Sequence, residues 1–447
     1  MNELATDVLV IGAGVAGLAA AREIGAAGFS VAVLEARDRI GGRIFTIRDD
    51  KCPAPIELGA EFVHGRPPKT LEIVNAAGLR LYEVAQSHWQ FRDGILIKSG
   101  EFWSELDQIM NGMKDVRERD LSFKQYLDKY CGVQSDEAKS IATMFVQGFH
   151  AARADVVSVK SLNQGNDAAD QIEGDRQFRI SGGYDGLVQW LERECRSAGV
   201  SFHLNAVVNE VRWSRNNVEV TTDRERHYEA ARAVVTLPLG VLQAPSTETE
   251  AVRFVPEITD KQAAARALRM GPVVKINLLF REAFWENLDL PSTGGRERLA
   301  KLGFIHSAGE PIPTWWTQLP VRAPMLVGWA GGPAAEKLHG DKQLIIDRAL
   351  NSLNRIFGIS NSCVEDSLQA VYMHNWNQDR FTRGAYSYVA VGGLDAQAQL
   401  GRPVEDTLFF AGEATNSDGN SGTMHGAIAT GRRAAEELLR AERRQAA

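Results

Sequence analysis

Gly12-Ala13-Gly14-Val15-Ala16-Gly17 is a G-x-G-x-x-G run, and bare backbone of this kind can hold a pyrophosphate. Gly12 makes the tight turn, Gly14 lets the main chain approach the phosphates, and Gly17 lets a following helix pack close on the preceding strand. Glu35 stands 18 residues after Gly17, where a carboxylate can accept hydrogen bonds from ribose hydroxyls. An acid there suits an unphosphorylated ribose and argues against NADP; it does not separate FAD from NAD. Next comes Arg37-Asp38-Arg39-Ile40-Gly41-Gly42-Arg43. Arg37 and Gly42 extend the cradle, and Arg43 could reach a phosphate or the far side of a bound dinucleotide. Lys275 is a candidate of another kind. It sits inside the apolar run GPVVKINLLF, where an ammonium without a partner is costly.

The elements around the glycines are those the chemistry requires. Asp7–Ile11 is a short β-branched run that reads as a buried parallel strand. Leu18–Ile24 has strong helix propensity, Gly28 ends it, and Val31–Leu34 is a second strand with Glu35 at its tip. A helix N-terminus placed after the glycines offers N–H groups and a positive dipole to phosphate. Further such elements recur near Phe178–Gly183, followed by a helical pattern (Leu187, Leu191, Cys195) and strands to Gly240, and again at Leu408–Ala414 before a helix through Leu439. The expected fold class is α/β, with a Rossmann-like cofactor domain assembled from three segments, 1–80, 176–257 and 381–447. Segments 81–175 and 258–380 then form an inserted α+β substrate-binding domain. The first insert reads as mainly helical, at 102–113, 122–130 and 136–149. The second mixes strands (VVKINLLF, MLVGWAG, LQAVYMHNW) with a helix near 341–357. An active site is expected between the two domains.

The 447 residues are 44% hydrophobic and 24% charged, which excludes a disordered chain or a coiled coil. A net charge of −7 argues against nucleic acid or an anionic membrane as a partner. Cys52, Cys131, Cys195 and Cys363 lie far apart with no C-x-x-C, so a zinc ribbon or a disulfide framework is not expected, and no metal is called for. No segment reads as a membrane span or a signal peptide, and a reducing cytoplasm fits. Helices 102–113 and 122–130 are candidates for either core or a homodimer interface.

The R-x-G-G-R extension resembles that of flavoprotein oxidases and desaturases. Over essentially its whole length the chain resembles the flavin-dependent amine oxidase superfamily: monoamine oxidases, polyamine oxidases and histone-lysine demethylases. The resemblance rests on the glycine fingerprint, Glu57-Leu58-Gly59-Ala60-Glu61-Phe62, Thr236–Leu242, Lys275, Trp376 with Arg383–Tyr388, Leu408–Glu413, and Ser421–Ala427. It implies FAD, with Gly59, Ala60 and Glu61 beside it, Val208 at the adenine, Gly412 and Glu413 at the ribityl or pyrophosphate region, and Gly422, Thr423 and Met424 at the flavin. It implies that Lys275 holds a water against the flavin. Tyr386 matches one wall of an aromatic amine cage; the opposite wall falls at Thr423, a departure from the two-tyrosine cage that resembles the demethylase branch. Trp376 would line the flavin and His64 the substrate cavity. Ala385 stands where some relatives carry a flavin-bonding cysteine, so the FAD is expected to be non-covalent. The long helical insertion and extra N-terminal module of demethylases are not seen, so no chromatin role is expected. The implied activity is oxidation of a primary or secondary amine with O2 as acceptor. A small monoamine is the first choice of substrate and a polyamine the second, with Glu61, Glu83, Asp170 and Glu173 as acids for distal ammonium groups. An L-amino-acid oxidase would need an arginine clamp, for which Arg80, Arg92 and Arg153 are candidates, and a desaturase would need a wide apolar channel.

Overall fold

The computed structural model describes residues 4–98, 102–117, 119–292, 295–338 and 340–446. Its first sheet is built on strands apolar on both faces, the pattern of a covered parallel sheet. Leu4–Ile11 pairs in parallel with Val31–Leu34 on one side and His227–Val235 on the other. Ser201–His203 and Leu408–Phe410 extend the parallel set at either side. The first half of His227–Val235 pairs instead with Asn217–Thr222, which leads into Val208–Ser214 and Arg253–Val255. Helix Val15–Ala26 makes the first crossover. Its alanines and Leu18 share a core with Leu191 and Cys195 of helix Asp185–Ser197 and with Ala434 and Leu438 of helix Met424–Ala446.

A second sheet of seven strands runs in the order Leu368–Tyr372, Val273–Phe280, Met325–Gly331, Thr314–Trp316, Phe304–His306, His88–Arg92, Ile95–Lys98. Ile276, Leu278 and Phe280 pack with Ile345 and Leu353 of helix Lys342–Phe357. The strand alternates, so Lys275, Asn277 and Leu279 face away from that helix. A small sheet of Val63–His64, Gln177–Ile180 and Leu81–Glu83 adds Val63, Phe178 and Ile180 to the core of the first sheet's helices.

The first insert is mainly helical and carries strands besides. Its three helices are present as Phe102–Gly112, Phe123–Tyr130 and Asp136–Phe149, the last two capped by Ser122 and Ser135. Leu106, Ile109, Phe123, Tyr126 and Ile141 share one core cluster, so these apolar faces are spent inside the molecule. The insert also gives the seven-stranded sheet a hairpin, His88–Arg92 and Ile95–Lys98, and it holds a further helix, Val159–Asp170. Asp93 and Gly94 turn the hairpin with φ of 51° and 78°, the two left-handed residues of a type I′ turn. Among the described residues no helix is long and apolar enough to cross a membrane.

Candidate active site

A cavity of about 1010 Å³ takes its walls from both sheets and from the helical insert. Gly12, Gly14, Glu35 and Val208 line it from the parallel sheet and its meander, and Lys275, Phe304 and Trp316 from the seven-stranded sheet.

The glycine loop divides its labour. Gly12 has φ +107°, and a Cβ there would sit 2.6 Å from Thr236 Oγ1. A Cβ on Gly17 would sit 2.0 Å from Gly12 O, so the helix rests directly on the turn. Gly17 does not line the cavity; its work is this close approach. Gly14 has nothing within 4 Å of its Cβ direction and caps helix Val15–Ala26 without any side-chain hydrogen bond. The open face and uncapped N–H groups fit a pyrophosphate. Gly41 N–H bonds Ala13 O at 2.8 Å, and Gly42 backs onto Gly14, so the R-x-G-G-R turn closes the cradle. Glu35 is buried, and its two oxygens accept the N–H groups of Ala13 (2.8 Å) and Arg37 (2.9 Å). Burial pushes its carboxyl up, against those two bonds and the neighbouring arginines. Arg37 forks onto Asp379 at 2.7 and 2.8 Å and lies over Trp376 and Phe381. Val208 lines the cavity and is strand core at the same time.

Glu413 ties three segments together. Oε1 accepts from Arg43 at 2.8 Å; Oε2 accepts from Ser387 Oγ at 2.6 Å, Ser387 N–H at 3.2 Å and Gly422 N–H at 3.1 Å. Arg43 also donates to Ala385 O at 2.7 Å. Gly412, at φ +127°, lets the chain leave strand Leu408–Phe410 for this corner. Gly422 has φ +71° and passes against Tyr386. Thr423, expected at a cage wall, has its hydroxyl committed: it donates to Asn420 O (2.6 Å) and accepts from Gly426 N–H (3.0 Å), which caps helix Met424–Ala446. Met424, in its first turn, lines the cavity.

Lys275 is buried but not without a partner, as the apolar run around it implied. Its Nζ lies 2.7 Å from Glu61 Oε2 and donates to Gly59 O at 3.1 Å. Glu61 Oε1 accepts from Arg179 Nε (2.8 Å) and Trp316 Nε1 (3.0 Å). Glu61, expected beside the cofactor, lines the cavity yet spends its carboxylate on this pairing. A Cβ on Gly59 would meet Arg43 O at 1.9 Å and the Trp376 ring at 3.1 Å, so the Gly59–Ala60–Glu61 turn is wedged between them. Trp376 donates Nε1–H to Leu58 O at 2.7 Å, and Tyr386 donates its hydroxyl to Phe149 O at 2.6 Å. Lys275, Trp376, Tyr386, Thr423, Ala60 and His64 all line the one cavity.

The sequence reading passed over other wall residues. Helix Val159–Asp170 contributes Ser161, Gly165 and Asn166 beside the expected Asp170, and Trp329, His88, His150, His306 and His425 line the cavity with the expected His64. Burial holds His64, His88, His150 and His425 down to about 4, and His306 to about 3, so all five rings are neutral at pH 7. Of the acids expected for distal ammonium groups, Glu83 and Glu173 are paired with Arg176, while Asp170 lines the cavity. Asp107 and Asp175 line it as well. The only arginines in the wall, among the described residues, are Arg37 and Arg43; Arg80, Arg92 and Arg153 are not in it.

A family model described as flavin containing amine oxidoreductase matches residues 15–439. The chain is 29% identical to lysine-specific histone demethylase 1 homolog 3 of Arabidopsis thaliana over 97% of its own length, but spans only 30% of that protein. It is 28% identical to polyamine oxidase 4 of Oryza sativa subsp. japonica, covering 96% of this chain and 88% of that one. Among solved structures, putrescine oxidase bound to putrescine superposes with a TM-score of 0.81 at 24% identity, covering 98% of this chain and 100% of that one. Cyclohexylamine oxidase from Brevibacterium oxydans superposes at 0.79 and 20% identity, covering 98% and 99%. At these identities the structural matches establish the α/β fold.

Proposed function

The chain belongs to the flavin-containing amine oxidoreductases, and from that premise we propose an FAD-dependent oxidase that converts a small primary or secondary amine to an imine, hydrolysed to an aldehyde, with O2 reduced to H2O2. One observation carries the reading: a single cavity joins the dinucleotide cradle to Lys275, Tyr386 and Trp376. Bound FAD supplies the two-electron acceptor for the amine Cα–H, which no side chain can provide. The chain's part is to bind, orient and keep water out. The uncapped N-terminus of Val15–Ala26 and Glu35 would hold pyrophosphate and ribose, and among the described residues the wall contains no cysteine, with alanine at 385, which supports non-covalent FAD. The N-terminus of Met424–Ala446 would favour negative charge developing on the cofactor. Tyr386 and Trp376 would flank the amine, and Lys275 would present N–H to a water at the reacting face.

The amine must be neutral to be oxidised, and a free alkylammonium titrates near ~10. Desolvation among Phe62, Phe149, Trp329 and Tyr386 favours the neutral form, and the neutral histidines add no charge. Turnover should therefore rise from pH 6 to 9. Among the described residues the arginines of the wall are Arg37 and Arg43, and their pairing with Asp379 and Glu413 argues against a clamp for an amino-acid carboxylate. A small aromatic or aliphatic monoamine fits best. A polyamine is the second reading, favoured by Asp107, Asp170 and Asp175 in the wall.

A peroxide-coupled screen of the yellow protein tests this, with benzylamine, phenethylamine, tyramine, putrescine, spermidine and L-amino acids at two pH values. Turnover of monoamines, lowered about a hundredfold in Lys275→Met, is expected. Bound flavin that no amine in the panel bleaches anaerobically would sink the reading.

A further inference from the structure

We propose that Glu61 is the positioning residue of this site: from its place between Lys275 and Arg179 it holds the Lys275 ammonium in place as a hydrogen-bond donor to the cavity. The inference rests on the reading of Lys275 as the reaction-centre lysine. Its geometry stands on four segments. Glu61 lies on the wedged Gly59–Ala60–Glu61 turn, Lys275 on strand Val273–Phe280, Arg179 on Gln177–Ile180, and Trp316 on Thr314–Trp316 with Gln318 just beyond. The side chains of Lys275, Glu61 and Arg179 are 2%, 4% and 4% exposed.

The two carboxylate oxygens are divided between the cations. Oε1 takes Arg179 Nε, Trp316 Nε1 and, at 3.4 Å, Gln318 Nε2. Arg179 NH2 and NH1 are spent on Thr317 O (3.1 Å) and Leu319 O (3.3 Å), and its guanidinium lies over Phe62. The fork that could have claimed both oxygens is thus turned aside, and Oε2 is left to Lys275 Nζ at 2.7 Å. An ammonium has three N–H groups. Gly59 O accepts one, Glu61 Oε2 lies against the ammonium as its ion-pair partner, and the residue itself lines the cavity.

Burial alone would push the Glu61 carboxyl up, but Lys275 and Arg179 outweigh it and hold it down to about 2, so the clamp is ionised throughout the working range. The other titratable groups facing the triad are Glu57, pushed up to about 7 by burial, and Tyr82, pushed up likewise. Two cations against one carboxylate leave the triad with net positive charge.

The first test needs no variant. Flavin-free wild type is trace-labelled with acetic anhydride between pH 6 and 10, and the acetylation of Lys275 is read by mass spectrometry against exposed lysines. A cation clamped by Glu61 stays at least tenfold less reactive than the exposed set up to pH 9. A Lys275 that labels as fast as they do at pH 7–8 overturns the proposal. Glu61→Gln should raise that labelling at least tenfold, and Glu61→Asp should restore most of the protection. In the flavin-loaded protein, anaerobic reduction by benzylamine should lose rate at high pH in Glu61→Gln, a loss the parent lacks, and the loss should vanish in Glu61→Gln/Lys275→Met. An unchanged labelling pattern and pH profile in Glu61→Gln would make Glu61 a packing residue only. If no amine reduces the flavin, the labelling arm still reports on the clamp, so the two readings fail separately.

Discussion

Glu413 accepts four hydrogen bonds from three segments, and their loss can be weighed. Glu413→Ala would leave the half-buried Arg43 guanidinium and the N–H groups of Ser387 and Gly422 without their acceptor. Breaking such a network costs about 3 kcal/mol. Urea unfolding should show that loss together with lowered flavin content; a variant as stable as the parent would contradict the hub. Much at this scale was legible. The fingerprint glycines, Glu35 and Lys275 announced themselves by type and setting, because each sits in a local turn or strand with a stated backbone demand; Glu413 was marked by the family resemblance of its segment. The Glu61–Arg179 and Arg37–Asp379 pairs did not, since their partners stand 118 and 342 residues apart and nothing local encodes which charges will meet. The bond of the Thr423 hydroxyl to the helix behind it was not legible either, although the residue lines the cavity.

At the scale of elements, the glycine turn and the helix it opens offer a paired experiment. Gly17→Ala puts a Cβ 2.0 Å from Gly12 O and must lift the helix off the strand, at a cost of about 3 kcal/mol or more. Gly14→Ala meets nothing within 4 Å and has an ordinary φ of −70°, so the flavin-free protein should keep its stability within about 1 kcal/mol. Its methyl group would occupy the pyrophosphate's place, and flavin content should fall. Equal stability losses in the two variants would refute this division of labour. The helices and strands with clear periodicity emerged within a residue or two, among them Val31–Leu34, Val273–Phe280 and Asp136–Phe149. Helix Val159–Asp170 escaped because only Val159, Leu162 and Ala168 are buried, and part of its polar surface, Ser161, Asn166 and Asp170, is cavity wall. The hairpin at 88–98 carried its signal in Asp93-Gly94, a type I′ pair between short alternating strands.

For the molecule as a whole, the cavity histidines couple acidity to stability. Unfolded, each titrates near ~6.5; folded, burial holds them at about 4 or, for His306, about 3. The unfolded chain therefore binds more protons across this window, and stability is lost as pH falls from ~6.5 toward ~4. Glu57, raised to about 7, works in the opposite direction, as do Glu35, Asp107 and Glu437, whose carboxyls burial also pushes up; the five cavity histidines and His203, lowered likewise, outnumber them. Glu61 adds a later loss, between ~4.5 and about 2, as its clamp is protonated. The unfolding midpoint of the flavin-free protein should drop by ~5 °C or more between pH 7 and pH 5. A flat profile, or one unaltered in His64→Gln/His150→Gln, would show that these rings are not held neutral.

The parallel sheet has a further consequence, in time rather than in space. Strand Leu4–Ile11 waits for His227–Val235, which in turn waits for Leu408–Phe410, and Gly431 of the last helix passes so close to Ala16 that a Cβ would sit 2.2 Å from its carbonyl. Contacts so distant along the chain must bear their loop-closure entropy before they return any stability. During synthesis the glycine turn therefore exists for hundreds of residues as an unfinished half-site, its apolar strand exposed and open to wrong partners. Flavin uptake only after the closing helix has docked is the outcome expected of the same topology that builds the cradle.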